Sequence, residues 1–253
     1  MGKLALTIAI ALLAATRVTG AAEINAMLTT AMKAAFDELL PAFERTNGHA
    51  IRLTYGPSGA LMRRLNGGEP ADLFVTDIPA LDQLVKQGKV APERIRLAST
   101  GIGIAVRKGA PKPDVSSAEA LKRALLAATS VGHASPAGGS ITGGHIMRMF
   151  ETLGIAKEVA AKTKFAMGGP NSRVSVLVSS GEAEIGIQQA SELLSNPDVE
   201  VIGMLPPEFQ QTTTYAASVT TSAKQPDAAK ALIRHLATPG AMALYKAKGL
   251  GLN

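Results

Sequence analysis

The sequence predicts an α/β protein of two lobes, each a mostly parallel sheet flanked by helices. Three features predict it. From residue 24 to near the end, short apolar runs of strand length alternate with longer amphipathic runs of helix length, the pattern of repeated βα units. Several strand-to-helix junctions are rich in glycine and hydroxyl residues. Two extended runs, 100–107 and 212–221, lie far apart and have no helix of their own between flanking strands, as crossovers between two lobes would. On this pattern lobe one holds residues 23–101 with the returning segment 217–253, and lobe two holds 102–216.

The chain opens on a basic Met1-Gly2-Lys3, an apolar run over 4–15 broken only by Thr7, and small residues at 18–22. That order is a secretory signal peptide, its apolar stretch too short to span a bilayer, with cleavage after Gly20, Ala21 or Ala22. An N-terminal membrane anchor is the alternative. Residues 1–22 are set apart from the fold, and the protein is expected in the periplasm.

Residues 24–28 then form a strand, and 31–45 a helix with Met32, Phe36, Leu39, Leu40 and Phe43 on one face. A strand over 51–55 breaks at Gly56-Pro57-Ser58-Gly59 and restarts as a helix at 60–65, ended by Gly67-Gly68 and Pro70. A buried strand at 73–75 is followed by a helix at 81–87 stopped by Gly88, then strands at 95–98 and 102–106. A helix at 118–128, capped by Ser116 or Ser117, leads to a strand at 130–133, a glycine-rich turn at 138–144 and a helix to Leu153. The strand at 164–167 precedes Gly168-Gly169-Pro170-Asn171-Ser172 and a helix at 173–180 closed by Gly181. Strands at 184–187 and 199–202 follow, and after the second extended run come helices at 226–237 and 240–248.

Composition narrows the function. Without Lys3 and Arg17 of the leader, 24 basic residues face 20 acidic ones, a net charge of +4. The basic residues are scattered and there is no Trp, so a nucleic-acid surface of basic patch and stacking rings is not expected. A mild positive field suits anionic solutes. The absence of Cys excludes disulfides, thiol nucleophiles and thiolate metal sites. With 46% hydrophobic residues the chain can build its core unaided.

Four junctions carry hydroxyls, amides or glycines where an ordinary cap would do: Thr29 and Thr30; Ser58 and Gly59; Gly139 and Ser140; and Asn171, Ser172 and Arg173. In open α/β sheets ligands bind beyond the carboxyl ends of the strands, so two facing lobes would bring all four to one gap. N–H and O–H donors with no acid among them suit an anion. Arg173 adds a full charge whose fork matches a carboxylate. Each also has a plainer explanation: Ser58 as an N-cap, Arg173 as an exposed first-turn residue, and the glycines as turn geometry.

No enzyme signature emerges. His49, His133, His145 and His235 stand in unrelated contexts, none spaced for a metal site, and no nucleophile elbow or phosphate loop occurs. His145 could line the gap, Asp72 serves backbone at a strand start, and Thr76 and Asp77 end that strand facing the gap. The expectation is a monomeric binding protein with no enzymatic activity, cofactor or metal.

The stretches TYGPSGALMRRLNGGEPADLFVT, SPAGGS, VSSGEAEIGIQQASELL and LLPAFERTNGH give a resemblance over 24–250 to the periplasmic molybdate-binding family of ABC-importer solute-binding proteins. The resemblance implies a type II periplasmic-binding clamshell that closes on an oxyanion or small carboxylate and delivers it to a membrane permease. Two positions depart from the family pattern: Met27 stands where a serine is usual, and Gln189 where a tyrosine is. Both losses weigh against molybdate or tungstate and toward an organic di- or tricarboxylate, held by Arg173 and by Asn171 and Gln189, which bond acceptors and hydroxyls alike. An exported sensor or enzyme on the same clamshell is the remaining alternative.

Overall fold

A computed structural model of the protein describes residues 21–167 and 173–251; the expected signal segment lies almost wholly outside them, as do Asn171 and Ser172. Ten strands form two sheets of five. The first runs in the order β2 (Ala50–Gly56), β1 (Glu23–Thr29), β3 (Leu73–Asp77), β10 (Thr213–Val219) and β4 (Ile95–Thr100). The second runs β7 (Thr163–Ala166), β6 (Val131–Ala134), β8 (Ile185–Gln189), β5 (Ile102–Arg107) and β9 (Val199–Met204).

Both sheets follow one plan. The first three strands pair in parallel, and the fourth lies antiparallel between the third and the fifth. Four strands of each sheet therefore run the same way and one is reversed. The reversed strands, β10 and β5, are those that have just crossed from the other sheet: β4 ends at Thr100 and β5 begins at Ile102. Both extended runs read from the sequence are thus crossing strands. The reversal itself has no sequence signal, because it depends on partners far along the chain.

Period-two alternation sends each strand's side chains to two cores. Ile24, Ala26 and Leu28 of β1 face the core beneath α1 (Lys33–Asn47), α9 (Pro226–Leu236) and α10 (Pro239–Ala247), while Met27 faces α2 (Ser58–Asn66) and α3 (Ile78–Lys86). Met27 is fully buried there, so the departure from the family's serine falls in a core. The second sheet packs α4 (Ala118–Ala127), α5 (Ile141–Thr152) and α6 (Ala156–Ala160) on one face, and α7 (Val174–Ser180) and α8 (Ala190–Leu193) on the other. Two details differ from expectation: a 3-10 turn over Thr30–Met32 precedes α1, and α6 and α8 are additional. Four or five residues are too few to show a helical period.

The chain's end is anchored to the first sheet. The Phe36 ring meets the Tyr245 ring edge-on at 6.4 Å, and the Tyr245 hydroxyl donates to the Leu236 carbonyl at 2.9 Å. Asp72 serves backbone as expected, accepting the N–H groups of Asn25, Lys224 and Gln225. Burial of Phe36 at the centre of this core predicts that Phe36→Ala costs about 3–5 kcal/mol, read as a lower midpoint in chemical denaturation.

Candidate functional site

The parallel strands of each sheet end at one edge, and the two edges face each other across a cleft. Its empty space is about 610 Å³, counting open solvent at the mouth. From the first sheet, Thr29 ends β1 and Thr30 follows it, Ser58 follows β2, and Asp77 ends β3. From the second, Ser135, Ser140 and Thr142 follow β6, Arg173 precedes α7, and Gln188, Gln189 and Glu192 come from β8 and α8. Thr213 and Tyr215 enter from the start of the reversed strand β10.

The hydroxyls differ in how far they are already engaged. Pro57, not Ser58, caps α2, and Ser58 is its first residue with no capping bond. Its buried hydroxyl faces the cleft. Thr29 caps the 3-10 turn in backbone conformation only, again without a side-chain bond. Ser140 is a true N-cap, its Oγ accepting the Gly143 N–H at 3.1 Å, which leaves its O–H to donate. Asp77 is also a cap: Oδ1 accepts the Ala80 N–H and Oδ2 the Thr76 hydroxyl.

Arg173 is the N-cap residue of α7 and lines the cleft half-buried. Its Nε meets no hydrogen-bond acceptor among the described residues. The plain first-turn role considered for it therefore does not fit its setting. Opposite it, Glu192 is held by three influences. Burial pushes its carboxyl up to about 7, against the opposing pull of the Arg173 charge and a hydrogen bond from Gln188. The Tyr215 hydroxyl, bonded to Gln189 and Thr213, is pushed well above its ordinary range by burial and by the nearby Glu192 and Asp77 charges.

Gly59 and Gly139 are not part of the lining. They meet at its lip, where the Gly59 N–H donates to the Gly139 carbonyl at 3.2 Å and bridges the two sheets' loops. Gly139 has φ +91, and a Cβ there would lie 2.7 Å from the Ala60 nitrogen. Two histidines weighed for function are occupied elsewhere. His145 Nε2 contacts the Phe209 carbonyl at 2.7 Å, and buried His133 packs edge-on against Phe150 and Phe165. Among the described residues no group of three or more His, Cys, Asp or Glu could hold a metal.

Of the residues singled out from sequence, Thr29, Thr30, Ser58, Ser140, Arg173 and Gln189 come together in the cleft. Asn171 and Ser172 lie outside the described residues. Glu192 was missed because the short α8 shows no period, and Gln188 because the strand was read as ending at 187, whereas β8 runs through Gln189. Tyr215 was missed because it reads as one more residue of an extended run.

Comparison with known proteins adds four findings. Residues 24–251 match the family model of the bacterial extracellular solute-binding protein. An aconitate isomerase from Pseudomonas sp is 34% identical over 220 residues, 84% of this chain and 81% of that protein. A molybdate-binding protein from Azotobacter vinelandii is 26% identical over 240 residues, 92% of this chain and 91% of that one. The solved structure of the Azotobacter vinelandii periplasmic molybdate-binding protein superposes with a TM-score of 0.74 at 18% identity, covering 91% of this chain and 99% of that one. The clamshell fold and the resemblance to molybdate-binding proteins therefore hold. The expectation of no enzymatic activity does not: a relative this similar, over most of both chains, is named as an enzyme. The motifs sought for catalysis belong to nucleophilic, phosphate and metal chemistry, and an isomerase that only moves a proton needs none of them.

The contact at the lip has a direct test. A side chain at Gly139 must adopt a left-handed backbone, a strain on the order of 1–3 kcal/mol, and displace Ala60. Gly139→Ala is expected to hold the lobes apart, giving a larger radius of gyration in small-angle scattering with unchanged circular dichroism. Gly48→Ala, also at positive φ but with nothing within 4 Å, should leave the radius as it is.

Proposed function

The chain belongs to the bacterial extracellular solute-binding protein family, and from that premise we propose that it captures a small tricarboxylate of the aconitate class between its lobes and isomerises it. The observation that carries this is Arg173: a guanidinium with an unengaged Nε, the one basic side chain among the described lining residues, in a cleft whose other polar groups are hydroxyls, amides and the two acids Asp77 and Glu192. Such a fork pairs with a planar carboxylate in two parallel bonds. Thr29, Thr30 and Ser58 supply donors on the facing wall for a second carboxylate. The name of the 34% identical relative supports both the substrate class and the reaction.

Closure would move the two sheets as bodies hinged near Gly101 and over 204–213, where the chain crosses between them. Transport is the second reading, in which the closed protein hands its anion to an ABC-type permease from the periplasmic side. The likeness to molybdate-binding proteins favours it. Tungstate or molybdate would then compete for the same donors.

Thermal-shift measurements with cis- and trans-aconitate, citrate, molybdate, tungstate and sulfate separate these. Tricarboxylates are expected to stabilise the protein by about 2.7 kcal/mol at a hundred times Kd, and cis-aconitate to convert to its trans isomer by proton magnetic resonance. Stabilisation by a tetrahedral oxyanion alone, with no conversion, would replace this reading with oxyanion binding. Arg173→Lys keeps the charge but loses the fork, so tricarboxylate affinity should fall by roughly tenfold or more, measured by calorimetry.

A further inference from the structure

Capture by Arg173 and the hydroxyls leaves one charged group of the cleft without a part. Among the described lining residues the carboxylates are Asp77 and Glu192. Asp77 is already used by the Ala80 N–H and the Thr76 hydroxyl. Glu192 has the Gln188 hydrogen bond and the Arg173 charge beside it, and it lines both the cleft and a second cavity. Resting on the isomerase reading, we propose that Glu192 is the catalytic acid–base residue that moves a proton between two carbons of the bound tricarboxylate, and that it exchanges that proton with solvent through the adjoining second cavity.

Glu192 lies in the first turn of α8, three residues after Gln189, and Gln188 and Gln189 also line the cleft. It also borders a second cavity lined by Lys33, Asp37, Ser191 and Ser195, and Thr30 and Arg173 border both spaces with it. Glu192 thus borders both the cleft that a ligand would fill and an adjoining outer cavity lined by polar groups. Ser191 Oγ, buried beside it, has no hydrogen-bond partner among the described residues.

The charges that face Glu192 suit the role. Arg173 adjoins it on the α7 side, and Lys33 in the outer chamber is paired with Asp37 at 2.5 Å. Tyr215, on the β10 side, lies between Glu192 and Asp77 and keeps its proton throughout the neutral range. Burial leaves Glu192 titrating at about 7, where an acid–base group can both take and return a proton efficiently.

The chemistry balances without a cofactor. The Glu192 carboxylate removes a proton from the methylene carbon next to one carboxylate of the substrate. The C–H electron pair becomes the new C=C, and the former C=C pair shifts to the far carbon. That carbon takes the proton from Glu192, so nothing is oxidised or reduced and the residue ends as it began. Negative charge developing on the flanking carboxylate is met by Arg173 and the hydroxyl donors.

Glu192→Gln keeps the shape and the Gln188 contact while removing the proton carrier. The full chain and this variant would be assayed with cis-aconitate in D2O by magnetic resonance, and by calorimetry with the saturated propane-1,2,3-tricarboxylate at pH 8 in buffers of differing ionisation heat. Turnover should fall by about 10²–10⁴-fold with binding of the saturated anion retained. The wild-type product should carry deuterium, and wild-type binding should take up a proton that the variant does not. Turnover in the variant within tenfold of wild type would overturn the assignment while leaving the isomerase reading intact. A wild type that binds but never converts aconitate would overturn both, and product free of deuterium would overturn the exchange route.

Discussion

Strand direction is the constraint on which the site depends. Because four strands of each sheet point the same way, their carboxyl ends gather at one edge, and the turns that follow them are delivered together. Thr29, Ser58, Arg173 and Gln189 come from separate parts of the chain and share nothing but that position at the end of a strand. The crossing strands β5 and β10 then make two such edges face each other. Each is built into the middle of a sheet, flanked on both sides by partners, so neither sheet is complete without a strand that has come from the other.

The cleft's electrostatics follow from this geometry. Strand ends and helix starts supply donors, so the site favours negative charge before any full cation is added. Arg173 supplies the cation. The two acids present are handled differently: Asp77 has its oxygens bonded to protein donors, while Glu192 is crowded until its proton is held near neutral pH. On the proposed reading, a donor-lined anion site and a proton-transfer site would differ here by one residue, in keeping with a chain that matches a solute-binding family and also has a relative named as an isomerase.

Much of this was legible in the sequence, and what was not has physical reasons. Alternation in β1 and β3, and the amphipathic face of α1 with Phe36, Leu40 and Phe43, marked the first core. Turns with hydroxyls after strands marked most of the lining. Glu192 stayed hidden because a four-residue helix has no period and a lone glutamate beside Ser191 reads as a solvated face. The reversal of β5 and β10 stayed hidden because pairing direction is decided by partners dozens of residues away. Ser58 was ambiguous in sequence between cap and donor, and the structure separates the two by placing Pro57 at the cap. The two sheets share one strand order, a duplication of architecture that leaves no repeat in the letters.

The meeting of Gly59 and Gly139 is made by main chain alone, one amide to one carbonyl with no side chain between. A latch of that kind is indifferent to cargo. It contributes the same small increment to the shut state whether the cleft holds substrate, product or a competitor, so selectivity has to arise inside the chamber. What the latch can set is time: how long a guest stays enclosed before the halves part and, on the proposed reaction, how many proton transfers one visit would permit.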